Sequence, residues 1–369
     1  MTPSRSNGAM TLDTTKDDFL VRVSNARSDE RRSVSAVMAR VRDGYFGNTP
    51  DKQLNAAMDD MFDDIIETLG AQAAPSKETS HIGRMAEGFP LFGLGESGTR
   101  KSSTFARMIH TRPEFAGFSY VPHENSSALL SVKAPSPCTL RVLGVTIARA
   151  MGLPTSETLK ENVVWDDIMD HLPARGIRVI HIDEFQHVLE NRNRLDIAKI
   201  RNTMKRVLQT PGHPVWMLVT GMPEVGLALE GDTQTWRRKS YVFFPELDFS
   251  RHAGKCRTMV QFFAKERAGL DCEAFTTDQN IHRLMHASLY RLGIAIDVVI
   301  KAIRVALKAG SSELTTEHFA KAYKAFAGCP DAENPFLASG FIELKVDQHL
   351  TRLLESRKER TGGSKAASK

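Results

Sequence analysis

The segment Gly93-Leu-Gly-Glu-Ser-Gly-Thr-Arg-Lys-Ser-Ser103 joins an apolar run, Phe89-Pro-Leu-Phe92, to the helical pattern Thr104-Phe-Ala-Arg-Met-Ile-His110. A phosphate-cradling loop needs this succession of strand, turn and helix. Backbone N–H groups point inward, a helix N-terminus lies behind them, a lysine reaches the outer phosphates and a hydroxyl meets Mg2+. The candidate residues are Gly95, Glu96, Ser97, Gly98, Thr99, Arg100, Lys101, Ser102 and Ser103, spaced as G-x-x-x-x-G-K-[ST] with one departure. The second glycine of that pattern is Arg100. Its position suits a glycine conformation, so the sequence predicts either strain at Arg100 or a slightly reshaped loop. The alternative is an ordinary glycine-rich strand–helix turn, and the strand and helix on either side favour the phosphate loop.

Further along, Val179-Ile-His-Ile-Asp-Glu184 reads as a strand ending in two carboxylates. Asp183 at such an edge can hold Mg2+, and Glu184 can polarise an attacking water. Alone, this pattern is common and also fits an acidic turn; paired with the upstream loop it becomes specific. The next strand ends in Thr220-Gly221, where Thr220 can orient the water or sense the γ-phosphate, or serve structure alone. Trp236-Arg-Arg-Lys239 precedes the last strand. Arg237 or Arg238 is a candidate arginine finger reaching a neighbouring subunit's nucleotide, against the competing reading of a solvated basic turn.

Strands expected at 89–95, 128–134, 177–183, 215–221 and 241–247 alternate with helices at 102–110, 140–151 and 195–209. Alternation of this kind predicts an α/β fold with a parallel five-stranded sheet covered on both faces. After residue 247 the strand signals stop, and helices at 259–268, 278–290, 295–308 and 316–327 make a small helical lid. Upstream, residues 33–70 form a helical extension broken at 44–50, preceded by a lead-in over 1–30. The expected organisation is an N-terminal part (1–85), a nucleotide-binding α/β domain (86–250), a lid (251–328) and a C-terminal segment (329–369).

Over 369 residues, 41% hydrophobic and 25% charged content is ordinary globular usage, which excludes bulk disorder and fibrous classes. No apolar run is long enough for a membrane span, and the N-terminus lacks a secretory h-region. The four cysteines lie far apart, which excludes a disulfide scaffold or cysteine-rich zinc site. The expectation is a soluble, cytoplasmic protein with no membrane partner. A net charge of +5 hints mildly at a polyanionic partner. Two places concentrate basic residues. Residues 356–369, with five basic residues and one acid, read as a disordered tail able to touch nucleic acid. The helix at 195–209 carries Lys199, Arg201, Lys205 and Arg206 beside an apolar stripe of Ile197, Ile200, Met204, Val207 and Leu208, with Arg192 and Arg194 just before. Such a row can track phosphates without reading bases, or it is a solvated mixed-charge face.

The order of phosphate loop, Asp-Glu strand end, polar fourth strand end, arginine cluster and helical lid resembles an AAA+ ATPase. Within that superfamily the chain resembles the TniB family of transposition ATPases, relatives of the phage Mu B protein. The resemblance rests on Gly44-Tyr-Phe-Gly47 and the helix after it, Gly95-Glu-Ser97, Ala134-Pro-Ser-Pro137 with a helix ending in Met151-Gly-Leu-Pro154, and Ile182-Asp-Glu-Phe-Gln-His187. It implies an ATP- and Mg2+-dependent ATPase that binds double-stranded DNA without sequence preference. Such a protein assembles as a homo-oligomer, a ring or helical filament, and recruits or activates a transposase. By position, Lys101 and Ser102 take the phosphate and Mg2+ roles, Asp183 and Glu184 the Mg2+ and water roles, and Thr220 the sensor role. Arg100 departs from the family's loop glycine. Arg291-Leu-Gly293 stands where such lids place an arginine at the start of the next helix, so a second sensor is left unassigned and Arg291 is a weak candidate. Two other functions share these features: a nucleotide-binding scaffold with little or no hydrolysis, and an AAA+ loader or remodeller for DNA replication.

Overall fold

The structure, a computed structural model, describes residues 18–73, 86–156, 158–190, 192–229 and 239–346. They divide into two compact units. Residues 47–247 with 291–294 make one, and residues up to 46, 248–290 and from 295 on make the other. Helices α1 (Asp18–Asn25) and α2 (Asp29–Asp43) belong to the latter, whereas α3 (Thr49–Ala73) belongs with the former. The contacts therefore split the expected N-terminal part between residues 46 and 47.

In the first unit, β1 (Pro90–Gly95), β2 (Leu129–Lys133), β3 (Val179–Asp183), β4 (Trp216–Gly221) and β5 (Ser240–Phe244) form a parallel sheet in the order β2-β3-β4-β1-β5. Around it run α4 (Lys101–Thr111), α5 (Leu140–Ala150), α6 (Glu161–His171), α7 (Gln186–Leu189), α8 (Arg194–Leu208) and α9 (Pro223–Leu229). A parallel sheet buried on both faces needs strands that are apolar throughout, and β1 and β4 are buried along their whole length. Successive residues serve opposite faces. Trp216 and Leu218 join α3 and α4 residues such as Met58 and Phe105, while Met217 and Val219 join the core built on α5, α6, α8 and α9. The one polar atom of Trp216, its Nε1–H, donates to Asp64 Oδ2 at 3.0 Å.

Gly93 permits the close seat of α4 on β1. A Cβ there would lie 2.4 Å from the Phe105 ring, which stacks on His181 with centroids 5.4 Å apart. Because α4 begins at the phosphate loop, this packing sets where the loop sits.

The second unit continues with α10 (Phe249–Gln261), a π-helical turn (Phe262–Arg267), α11 (Asp278–Ala287), α12 (Leu292–Lys308) from residue 295 on, and α13 (Thr316–Ala327). The chain after α13 packs back on these helices. Arg283 is buried, donates to Ala338 O at 2.7 Å and lies 4.6 Å over the Phe341 ring. The fully buried Asn334 donates to Ala320 O at 2.9 Å. A buried guanidinium requires acceptors, and here the C-terminal strap supplies them.

Several elements differ from expectation, among them the short helices α7 and α9. Helix α1 occupies part of the expected lead-in. Helix α6 was not anticipated, although Val164, Trp165, Ile168 and Leu172 make a buried stripe at helical spacing. Helix α10 begins at Phe249 rather than 259, because the Asp248 side chain caps it by accepting from Arg251 N at 3.1 Å. All four cysteines are free and buried. Among the described residues no helix is long and apolar enough to cross a membrane. The basic tail at 356–369 lies outside the described residues.

Candidate nucleotide-binding site

The loop after β1 is held by its own backbone and by its lysine. Thr99 Oγ1 donates to Glu96 O at 2.7 Å, closing the turn. Lys101 is buried, and its Nζ donates to Gly95 O at 2.6 Å and Glu96 O at 2.9 Å. Burial pushes the Lys101 ammonium below its ordinary pKa, opposed by the charges of Glu184, Asp183 and Glu96. Those carboxylates therefore lie within electrostatic reach of the lysine. Ser102 and Ser103, in the first turn of α4, are exposed.

Arg100 adopts φ 82° and ψ 14°, the left-handed region, as the glycine of the motif would. The loop keeps its shape and the arginine carries the strain. Gly98 is also left-handed at φ 82°.

The strand order places β4 between β3 and β1, so the ends of these three strands share one edge. Asp183 Oδ1 accepts from Thr220 Oγ1 and from Glu184 N, the latter at 3.0 Å. Thr220 is fully buried, which commits its hydroxyl to this bond. Glu184 is left-handed at φ 57°, uncommon for a residue with a side chain and a feature that clusters at functional sites. Its carboxylate accepts from Gln186 Nε2. The structure thus gathers Gly95 to Ser103, Asp183, Glu184 and Thr220 at one sheet edge. Arg237 and Arg238 lie outside the described residues.

Arg291 joins this group more firmly than the sequence indicates. Its Nη2 lies 3.4 Å from Glu96 Oε2 and its Nε 3.7 Å from Glu246 Oε1. That buried Nε has no hydrogen-bond partner among the described residues. Gly293 N donates to Gly98 O at 2.9 Å, which ties residues 291–294 to the loop itself. Arg291 and Glu96 are separated by 195 positions along the chain, and no local pattern signals such a pair.

The basic row on α8 is partly committed elsewhere. Lys199 pairs with Glu161 at 2.7 Å and Arg206 with Asp166 at 2.6 Å, both carboxylates on α6. Arg192 donates to Cys138 O at 2.9 Å.

Residues 91–228 match the family model described as AAA domain. No curated protein matches the chain. Among solved structures, Cdc6p from Pyrobaculum aerophilum is 13% identical, covering 74% of this chain and 71% of that one at a TM-score of 0.48. The Aeropyrum pernix ORC1 protein, solved in complex with DNA, is 19% identical over 66% of this chain and 61% of its own, at a TM-score of 0.47. The Thermotoga maritima RuvB Holliday junction branch migration motor is 12% identical over 74% and 72%, at a TM-score of 0.37. The loop after β1, the acidic end of β3 and the five parallel strands, within residues 91–228 that match the AAA domain model, make the α/β P-loop AAA+ fold.

Proposed function

We propose that the chain is an ATP-dependent DNA-binding ATPase that assembles on double-stranded DNA and recruits or activates a transposase. The observation that carries the nucleotide half is the convergence on Lys101. A buried ammonium rests on loop carbonyls, within electrostatic reach of Asp183, Glu184 and Arg291, and the loop shares its sheet edge with both carboxylates. The Arg291 Nε–H beside the loop, which makes no hydrogen bond among the described residues, is a donor suited to an anion. The donor set also fits Mg2+, which takes one or two protein oxygens together with substrate phosphates; the Ser102 hydroxyl and an Asp183 carboxylate oxygen would hold it.

In this reading the loop N–H groups and Lys101 bind and orient the triphosphate. Bound Mg2+ supplies charge neutralisation on the phosphates. Glu184 orients the attacking water and takes up its proton, and Thr220 fixes the Asp183 carboxylate through their hydrogen bond. Arg237 or Arg238 of a neighbouring subunit stabilises charge in the transition state, which makes turnover depend on assembly. The DNA and transposase half rests on the TniB-like motifs. A second reading, a nucleotide-binding scaffold with little turnover, is favoured by one observation: the strained arginine inside the loop.

The test is a duplex-DNA anisotropy titration with ATP and with ADP on unrelated sequences, alongside ATP-analogue binding and ATP hydrolysis. Lys101→Ala is expected to abolish nucleotide binding with the fold intact. DNA affinity is expected to rise with ATP and to fall with salt at a slope of about −0.9 per phosphate neutralised. Replacing Arg237 and Arg238 together is expected to lower hydrolysis, assembly and DNA affinity in concert. Equal DNA affinity in both nucleotide states overturns the transposition reading, and ATP binding without turnover on any DNA selects the scaffold.

A further inference from the structure

The Gln186 side chain bridges two parts of the edge described above. Its Nε2 donates to Glu184 Oε2, and its Oε1 accepts from Met222 N at 3.3 Å. The amide orientation follows from chemistry: an ionised carboxylate only accepts and a backbone N–H only donates, so a flipped amide would lose both bonds. The approach to β4 is close. A Cβ on Gly221 would lie 3.0 Å from Gln186 Oε1 and 2.7 Å from Val225 Cγ2. Alongside the bridge, Phe185 N donates to Thr220 O at 2.9 Å. The turn that carries Glu184 is thus laced to the end of β4, through one backbone bond and one side chain.

We infer that Gln186 is a positioning residue that holds the Glu184 carboxylate in place, using the turn between β4 and α9 as its anchor. This rests on the reading of Glu184 as the water-activating group. A glutamate at the tip of a left-handed turn has free side-chain torsions unless something restrains them. Gln186 restrains one oxygen and leaves the other for water, since among the described residues no hydrogen bond engages Glu184 Oε1. Lys101 does not duplicate this restraint: its Nζ donates to Gly95 O and Glu96 O, and among the described residues it makes no hydrogen bond to Glu184. The same bridge makes the carboxylate sensitive to the exit of β4: a shift of Met222 moves the anchor, and Gln186 transmits the shift to Glu184.

The experiment compares Gln186→Met, which keeps length and removes both bonds, with Gln186→Glu, which keeps an acceptor for Met222 N and repels Glu184. For both, kcat is expected to fall roughly 10–100-fold, as misplacing a reacting group does, while KM and ATP-analogue affinity hold. In a Glu184→Gln background, Gln186→Met is expected to cost nothing further. Unchanged kcat, or a loss that adds fully to that of Glu184→Gln, overturns the inference. Should the wild-type chain show no turnover with DNA, the hydrolytic reading falls instead, and the bridge is decided by NMR of the Gln186 side-chain amide. Glu184→Ala is then expected to move that resonance and speed its hydrogen exchange; an unmoved resonance overturns the bridge.

Discussion

Arg100 offers a direct measure of what the phosphate loop demands of its backbone. At φ 82° and ψ 14° an L-residue sits in the left-handed region, at a cost of about 1–2 kcal/mol. Arg100→Ala keeps that strain and Arg100→Gly removes it. Both lose the same side-chain contact, because the Arg100 stem lies 3.2 Å from where a Cβ on Gly293 would stand. Neither loses a cap, since the Arg100 side chain makes none to α4. The difference between the two variants therefore isolates the backbone. Glycine adds freedom to the unfolded chain that costs about 0.5–1 kcal/mol. Glycine is thus expected to be more stable than alanine here by about 0.75 kcal/mol, the mid-range strain less the mid-range offset. Urea denaturation without nucleotide reads this as a midpoint about 0.3–0.5 M higher for Arg100→Gly, with m near 2 kcal/mol/M. Arg100→Gly is also expected to bind an ATP analogue at least as tightly as wild type. An Arg100→Ala protein as stable as Arg100→Gly would refute the claim that this position is held left-handed.

Gly93→Ala drives a Cβ into the Phe105 ring and, through it, against His181; a loss of about 1–3 kcal/mol is expected, read as a drop in Tm by circular dichroism. Arg291→Ala removes a guanidinium beside the loop and releases Glu96, so ATP-analogue affinity should fall about 10–100-fold, with binding at wild-type strength as the contrary result. Glu184→Gln should keep analogue binding and slow turnover about 100-fold or more, followed by phosphate release. Burial raises the Cys138 and Cys256 thiols to about 11, so both should resist a disulfide reagent at pH 8 and react once urea unfolds the chain; the residual native rate should climb about tenfold per pH unit up to that value.

Where a feature depends on neighbours along the chain, the sequence by itself determined it. The loop from Gly95 to Ser103, the carboxylates ending β3 and Thr220 ending β4 are each readable because strand, turn and helix signals are local and their spacing is short. The alternation of strands and helices settled the α/β class for the same reason. Elements with weaker local contrast were missed or misplaced, as with α6, whose apolar stripe is short, and the start of α10, which a single capping aspartate sets.

Tertiary structure decided what depends on groups distant in sequence. The strand order β2-β3-β4-β1-β5 brings Asp183 beside Thr220 and both to the loop, and no stretch of sequence encodes an order of strands. Arg291 reaches Glu96 across 195 positions. Gln186 finds Met222 only because β3 and β4 end side by side, and the C-terminal strap is held by Arg283 only because α11 lies beneath it. Local periodicity records which face a residue turns inward, but hydrogen bonds and ion pairs between distant segments form only when packing of the core has already fixed the distances.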